Sequence, residues 1–175
     1  GDEGSLGSYA DAVDFCWGRH TLAGFRPWLR EQYGSLDALN QSWGSAFPDW
    51  DAVVPLTTEA ARREGRYPPW ADHRTYMEVS FGRAYQTVRD GVLEGDPEGR
   101  IALSGTQVTN HWNGCDWHRL DGVIDDFLSY SGGNQWDIHR SFAKPGARVG
   151  FWTGYGRRGA AVKHEVWSAA LSGVL

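Results

Sequence analysis

Cysteine is nearly missing from this chain: Cys16 and Cys115 are the only two in 175 residues. They lie far apart and match no zinc-ligand or thioredoxin spacing. No disulfide framework can be read from them, although a single bridge stays open and with it the redox compartment. The chain opens on Gly1, without an initiator methionine or a signal-like segment. It reads as an excerpt of a longer protein, and some of its apolar faces would then pack on segments outside this sequence. No apolar run approaches the ~20 residues that a membrane span needs. Positive charge is also short, with 17 Lys and Arg against 22 Asp and Glu, a net charge of −5. Surfaces that neutralise phosphates are ordinarily basic, which argues against nucleic acid as a partner.

Aromatic residues are what the chain has in plenty: ten Trp, seven Tyr and seven Phe. Such rings fill cores, and they also stack on sugar rings and nucleobases. With nucleobases set aside by the charge, the ligand that fits is neutral and polar, such as a carbohydrate. The length fits one domain, and residues 1–175 are read as a single domain.

The first nine residues hold two adjacent carboxylates, Asp2 and Glu3, among glycines and serines. Such a stretch is either a frayed end or a strand-end loop that holds a carboxylate at the mouth of a cleft. Leu22, Phe25, Leu29 and Tyr33 then recur at helical spacing over Thr21–Tyr33. Pro27 conflicts with that span and predicts a regular helix starting near Arg26. A second helix is expected from a Ser35 cap to Trp43, with Gly44 as its stop. From Ser45 to Pro69 the prolines predict an irregular surface excursion, with one helical turn at Thr58–Glu64. The longest helix is expected over Ala71–Leu93, with Met77, Phe81, Ala84, Tyr85, Val88 and Val92 as a continuous core stripe.

Strands are expected at Arg100–Ser104, Asp126–Tyr130 and Arg148–Thr153, with helices at Asp116–Val123, Gln135–Phe142 and Ala160–Leu171. This alternation predicts parallel strands joined by crossover helices. Ligands of such folds bind beyond the carboxyl ends of the strands. The loop after the first strand carries Gln107, Asn110, His111, Trp112 and Asn113. Its amides suit sugar hydroxyls and its indole suits a ring face, though a loop that satisfies its own backbone fits as well. Asp116 suits a helix N-cap. Trp152 and Tyr155 at the third strand's end suit a stacking platform. Packing is the expected role of Trp43, Trp50 and Trp167, and a solvated face or salt bridge that of His139 and Arg140. Asp72 and His73 read as no more than the start of the long helix.

The run Phe25-Arg-Pro-Trp-Leu-Arg-Glu-Gln-Tyr-Gly34, followed by Leu36-Asp-Ala-Leu-Asn-Gln-Ser-Trp-Gly44 and Phe47, resembles the segment after the fourth barrel strand of glycoside hydrolase family 42, the β-galactosidases. A looser resemblance covers Ile101–Tyr155, as the fifth to seventh strands. It implies an α/β fold: part of a (β/α)8 TIM barrel, about strands 4 to 8, with a helical excursion after the first strand end. The chain would be a fragment of a glycoside hydrolase catalytic domain. The family's acid/base glutamate follows an asparagine at the fourth strand's end, and the matching pair is Asp2-Glu3. Glu3 thus inherits the acid/base role. Asp2 inherits the contact to the sugar 2-hydroxyl, which it can accept from but not donate to, and its charge favours a protonated Glu3.

Retaining glycosidases place a second carboxylate roughly 5–5.5 Å from the first. The matching position is Gly154, and no Asp or Glu lies between Val149 and Ala161. Glu165, the nearest, belongs to the following helix. An inverting enzyme could instead take Asp116 or Asp126 as the base for a water. The alternative is a catalytically inactive, carbohydrate-binding homologue; a purely structural domain is a third reading. Of the family's zinc-binding cysteine cluster only Cys16 remains nearby, so neither metal nor cofactor is expected. The family often forms trimers, which here would require parts outside this sequence.

Overall fold

In the computed structural model the described residues are 14–104, 115–129, 134–151 and 156–174. Ten elements follow in chain order: α1 (Arg19–Tyr33), α2 (Leu36–Trp43), α3 (Thr58–Glu64), α4 (Pro68–Gly95), β1 (Ala102–Ser104), α5 (Trp117–Leu120), β2 (Asp126–Ser129), α6 (Asn134–Phe142), β3 (Arg148–Phe151) and α7 (Ala160–Leu171). The three strands form a parallel sheet in the order β1-β2-β3, with Ser104 beside Leu128 and Leu128 beside Gly150. The expected helix–strand alternation is therefore present, and all three strands end on the same edge. No helix among the described residues is long and apolar enough to cross a membrane.

Local chemistry accounts for most boundaries. The Ser35 hydroxyl accepts the Ala38 N–H at 3.2 Å and caps α2, and Gly44 closes it in a left-handed conformation (φ 62°) that glycine adopts without strain. Thr57 caps α3 in the same way, through the Ala60 N–H. Asp116 accepts the N–H groups of His118 and Arg119 and caps α5 as expected.

Four expectations are corrected. First, α1 begins at Arg19 and runs through Pro27. The proline forgoes one hydrogen bond, but the helix buries Phe25, Trp28 and Leu29, which offsets the roughly 3 kcal/mol penalty. Second, Pro68 and Pro69 occupy the first turn of α4 rather than an irregular stretch, because first-turn N–H groups have no helical partner to lose. Third, the α4 stripe is core only in its first half. Met77 and Phe81 are buried, whereas Ala84, Val88 and Val92 are exposed, since the two cores take only Tyr76, Met77, Val79, Phe81 and Tyr85 from this helix. Fourth, Trp167 is not a packing residue: it is 67% exposed on α7.

Two cores result. One joins Phe25, Trp28, Leu29, Leu39, Trp43, Val53, Tyr76 and Met77 among the helices. At its centre Gly24 lets α1 approach α4, where a Cβ would run into the Tyr76 hydroxyl. The other joins the sheet to α5, α6 and α7 through Leu103, Trp117, Ile124, Phe127, Trp136, Val149 and Ala169. Between the two, α4 contributes Tyr76 and Met77 to the first and Phe81 to the second.

Candidate active site

The carboxyl ends of β1, β2 and β3 form one edge, with strands spaced about 4.8 Å apart. The chain leaves β1 at Ser104, β2 at Ser129 and β3 at Phe151. Asp2, Glu3, Gln107, Asn110, His111, Trp112, Asn113, Trp152, Gly154 and Tyr155 all lie outside the described residues. What the structure describes is the scaffold on either side of those loops.

The segment following β1 re-enters the described chain at Cys115, which is buried, and Asp116. Burial, with Glu78 nearby, pushes the Cys115 thiol up to about 12, so it acts as a small apolar side chain and not as a thiolate. Asp116 is tied to Arg119 at 3.2 Å, and Arg119 reaches Glu78 of α4 at 3.6 Å. Burial raises the Glu78 carboxyl, the charge of Asp116 raises it further, and Arg119 opposes both. Asp116 is therefore engaged as a helix cap and ion-pair partner.

Asp126 stands at the opposite edge, the amino end of β2. Arg148 holds it at 2.8 Å and Arg100 at 2.5 Å. Burial alone would raise this carboxyl, but the two guanidiniums outweigh it and hold it at about 2. A base for water needs a far higher pKa and the other end of the strand, which corrects its candidacy. Beside it, Asp125 accepts the Ile101 N–H and pairs with Lys144 and Arg89 at 3.0 and 2.9 Å. Together these pairs clamp the strand starts. Glu165 lies on α7, bound to Arg157 at 2.6 Å.

Sequence reasoning missed several polar groups. Asp72 accepts the Tyr33 hydroxyl at 2.6 Å and the Trp43 indole N–H at 2.7 Å, joining α1, α2 and α4. His73 is buried and bonds the Cys16 carbonyl at 3.2 Å. Asp14 binds Thr58 and the buried Arg74. These carboxylates and imidazoles recur with no sequence period, so only the fold reveals their partners. His139 is another correction: it is buried among Trp117, Phe127 and Phe142 rather than solvated. Arg140 does carry an ion pair, with Asp137 at 3.9 Å. Cys16 and Cys115 form no disulfide, and no cluster of three or more metal-ligating side chains exists among the described residues.

The family model described as Beta-galactosidase matches residues 8–126. The chain belongs to glycoside hydrolase family 42. That match takes in the Phe25–Phe47 motif and ends at the first residue of β2, so Glu3 and Gly154 both fall outside it. The family 42 chain is similar to a β-galactosidase of Heyndrickxia coagulans, 23% identical over 155 residues, which are 78% of this chain and 22% of that protein. It thus spans less than a quarter of that relative's length. Among solved structures it is similar to the β-galactosidase of the psychrophilic Marinomonas ef1, with a TM-score of 0.71 and 18% identity over 98% of this chain and 31% of that one. It is also similar to the catalytic domain of a β-amylase from Paenibacillus polymyxa, with a TM-score of 0.64 and 17% identity over 89% of this chain and 47% of that one. Structural neighbours of this kind are TIM-barrel glycosidases, and at these identities they speak for the fold alone.

Proposed function

We propose that this chain is part of the catalytic domain of a glycoside hydrolase acting on β-linked sugars, β-galactosidase-like, with Glu3 as general acid/base. Residues 1–175 form one domain on this reading, corresponding to about strands 4 to 8 of a (β/α)8 barrel. The observation that carries it is the family match over residues 8–126, which covers α1 to α4, the segment that this reading sets after the fourth strand. The parallel sheet supports it, because its single carboxyl edge is where a barrel glycosidase gathers its site.

In the proposed reaction Glu3 donates its proton to the glycosidic oxygen while positive charge develops on the sugar ring. Asp2 accepts from the 2-hydroxyl and, as a neighbouring anion, favours the protonated form of Glu3. Gln107, Asn110, His111 and Asn113 would bind hydroxyls, and Trp112, Trp152 and Tyr155 would stack on sugar faces. The nucleophile is not identified. Gly154 supplies none, and Asp116 and Asp126 are committed to a cap and a clamp.

Release of nitrophenol from an aryl β-galactoside is the test. The full-length protein should release it, and Glu3→Gln should slow release by about 10²–10⁴-fold, the usual worth of general acid–base catalysis. An unchanged rate removes Glu3 from the mechanism. The lack of a carboxylate between Val149 and Ala161 favours a second reading, a carbohydrate-binding barrel without turnover. Calorimetric binding of galactose without nitrophenol release would favour it.

A further inference from the structure

We infer that a groove on the helical layer, between α6 and α7, is an accessory site for a neutral saccharide. The groove encloses about 650 Å³, within the roughly 300–1,000 Å³ range of small-molecule sites. Its walls carry Trp136 and Asp137 from α6, Arg157 from the segment before α7, and His164, Glu165 and Ser168 from α7. None of these belongs to the proposed catalytic or sugar-binding set.

The chemistry of the walls selects the ligand. The carboxylates of Glu165 and Asp137 are paired with Arg157 and Arg140, so the groove carries no strong net charge to draw an ion, which suits a neutral ligand. Arg157 donates to Glu165 at 2.6 Å, which orients both groups along the wall, and the planar guanidinium carries five N–H donors in all. Sugar hydroxyls donate and accept at once, and a carboxylate, a guanidinium, an imidazole and a serine hydroxyl held along one wall can serve both functions. Trp136 is only 4% exposed and is locked edge-to-face on Phe151, with ring centroids 5.3 Å apart. It forms a rigid wall, and its indole N–H, which has no hydrogen-bond partner among the described residues, is a built-in reporter.

The test is a galactose titration of the full chain, followed by the indole N–H resonances in a nitrogen–proton correlation spectrum, with Trp136 assigned through Trp136→Phe. A saturable shift of the Trp136 resonance is expected, with an affinity on the order of 1 mM. Ser168→Trp, which fills the groove, should weaken it by ~tenfold or more, and Asp137→Ala, a change at an exposed side chain, should weaken it without threatening the fold. Glu3→Gln should leave it intact. A Trp136 resonance unmoved by galactose overturns the inference, as does a shift that survives both groove variants. A shift produced by putrescine but not by galactose also overturns it, in favour of a cation. Nitrophenol release is read separately: hydrolysis without the shift sinks the groove alone, and the shift without hydrolysis sinks the catalytic proposal alone.

Discussion

His73 and His139 are both buried to 1% exposure, one in each core. Around His73 the chain supplies a hydrogen-bond partner, the Cys16 carbonyl. His139 has ring contacts with Trp117, Phe127 and Phe142, and its Nδ1 has no partner among the described residues. The contrast extends beyond the pair. In the helical core the Trp43 indole reaches Asp72 and Arg74 reaches Asp14, although the Trp17 indole N–H has no partner among the described residues. In the sheet core the indole N–H groups of Trp117 and Trp136 are unpaired among the described residues. On the outside, Val88, Ile138, Val166, Trp167 and Leu171 of the sheet region's helices stand exposed. The helical region folds back on itself and finds its own partners. Among the described residues the sheet is three strands wide, and on the partial-barrel reading its exposed apolar faces belong against further β/α units.

This difference can be broken or sharpened in several ways. The largest effect should come from Phe25→Ala, at the centre of the self-contained core. Phe25 is fully buried against Trp28, Trp43, His73 and Tyr76, and truncation there should cost about 4 kcal/mol in denaturant unfolding. A loss under about 1 kcal/mol would show that the helical region is not tightly packed.

Next comes acid sensitivity of the sheet core. Burial lowers the His139 imidazole from 6.5 to about 4, so the folded state binds its proton less tightly than the unfolded chain does. Its contribution is complete above pH 6.5 and is lost as pH falls towards 4, a span worth about 3 kcal/mol. His139→Leu should therefore flatten the stability loss between these limits while changing neutral stability little. A wild-type stability that is level from neutral pH to pH 4 would contradict the lowering of this imidazole by burial.

Asp126→Asn should be milder, at about 2 kcal/mol near neutral pH, because Arg148 and Arg100 keep the carboxyl depressed from 3.8 to about 2. A depressed carboxyl contributes above its ordinary pKa and loses that contribution as pH falls through the folded value. The penalty of the variant should thus shrink with acid, measured as a converging pair of unfolding curves. The smallest effect belongs to Trp167→Lys on the exposed face of α7. It should change the stability of this chain by less than about 0.5 kcal/mol. A larger loss would mean that the face is covered, and would erase the contrast between the regions.

Much of the fold is legible in the sequence because it rests on local signals. Ser35 and Gly44 bracket α2, Asp116 caps α5, and apolar runs alternating with helical periods predict the parallel sheet. The Pro27 and Pro68–Pro69 readings fail because the penalty for proline depends on what the helix buries and on the turn the proline occupies. The α4 stripe fails at Ala84, Val88 and Val92 because periodicity marks a face without saying what covers it. His139 looks like its exposed neighbour Arg140 in sequence, and only the rings of Trp117, Phe127 and Phe142 around it show that it is core. The Asp72 junction draws on residues up to 39 positions apart, beyond any local window. The candidate sugar contacts cluster legibly after strand ends, and Glu3 was reached only through the family resemblance, from a stretch that composition alone reads as a chain end.

The central claim is that Glu3 protonates the leaving group, and the most direct measurement varies how much that proton matters. A dinitrophenolate departs without protonation, whereas methanol does not. Hydrolysis of dinitrophenyl β-galactoside and methyl β-galactoside should be compared for the wild-type chain and Glu3→Gln. The account predicts that the substitution slows the methyl galactoside by about 10²–10⁴-fold and the dinitrophenyl galactoside far less. Equal slowing of both substrates, or slowing of neither, would contradict it.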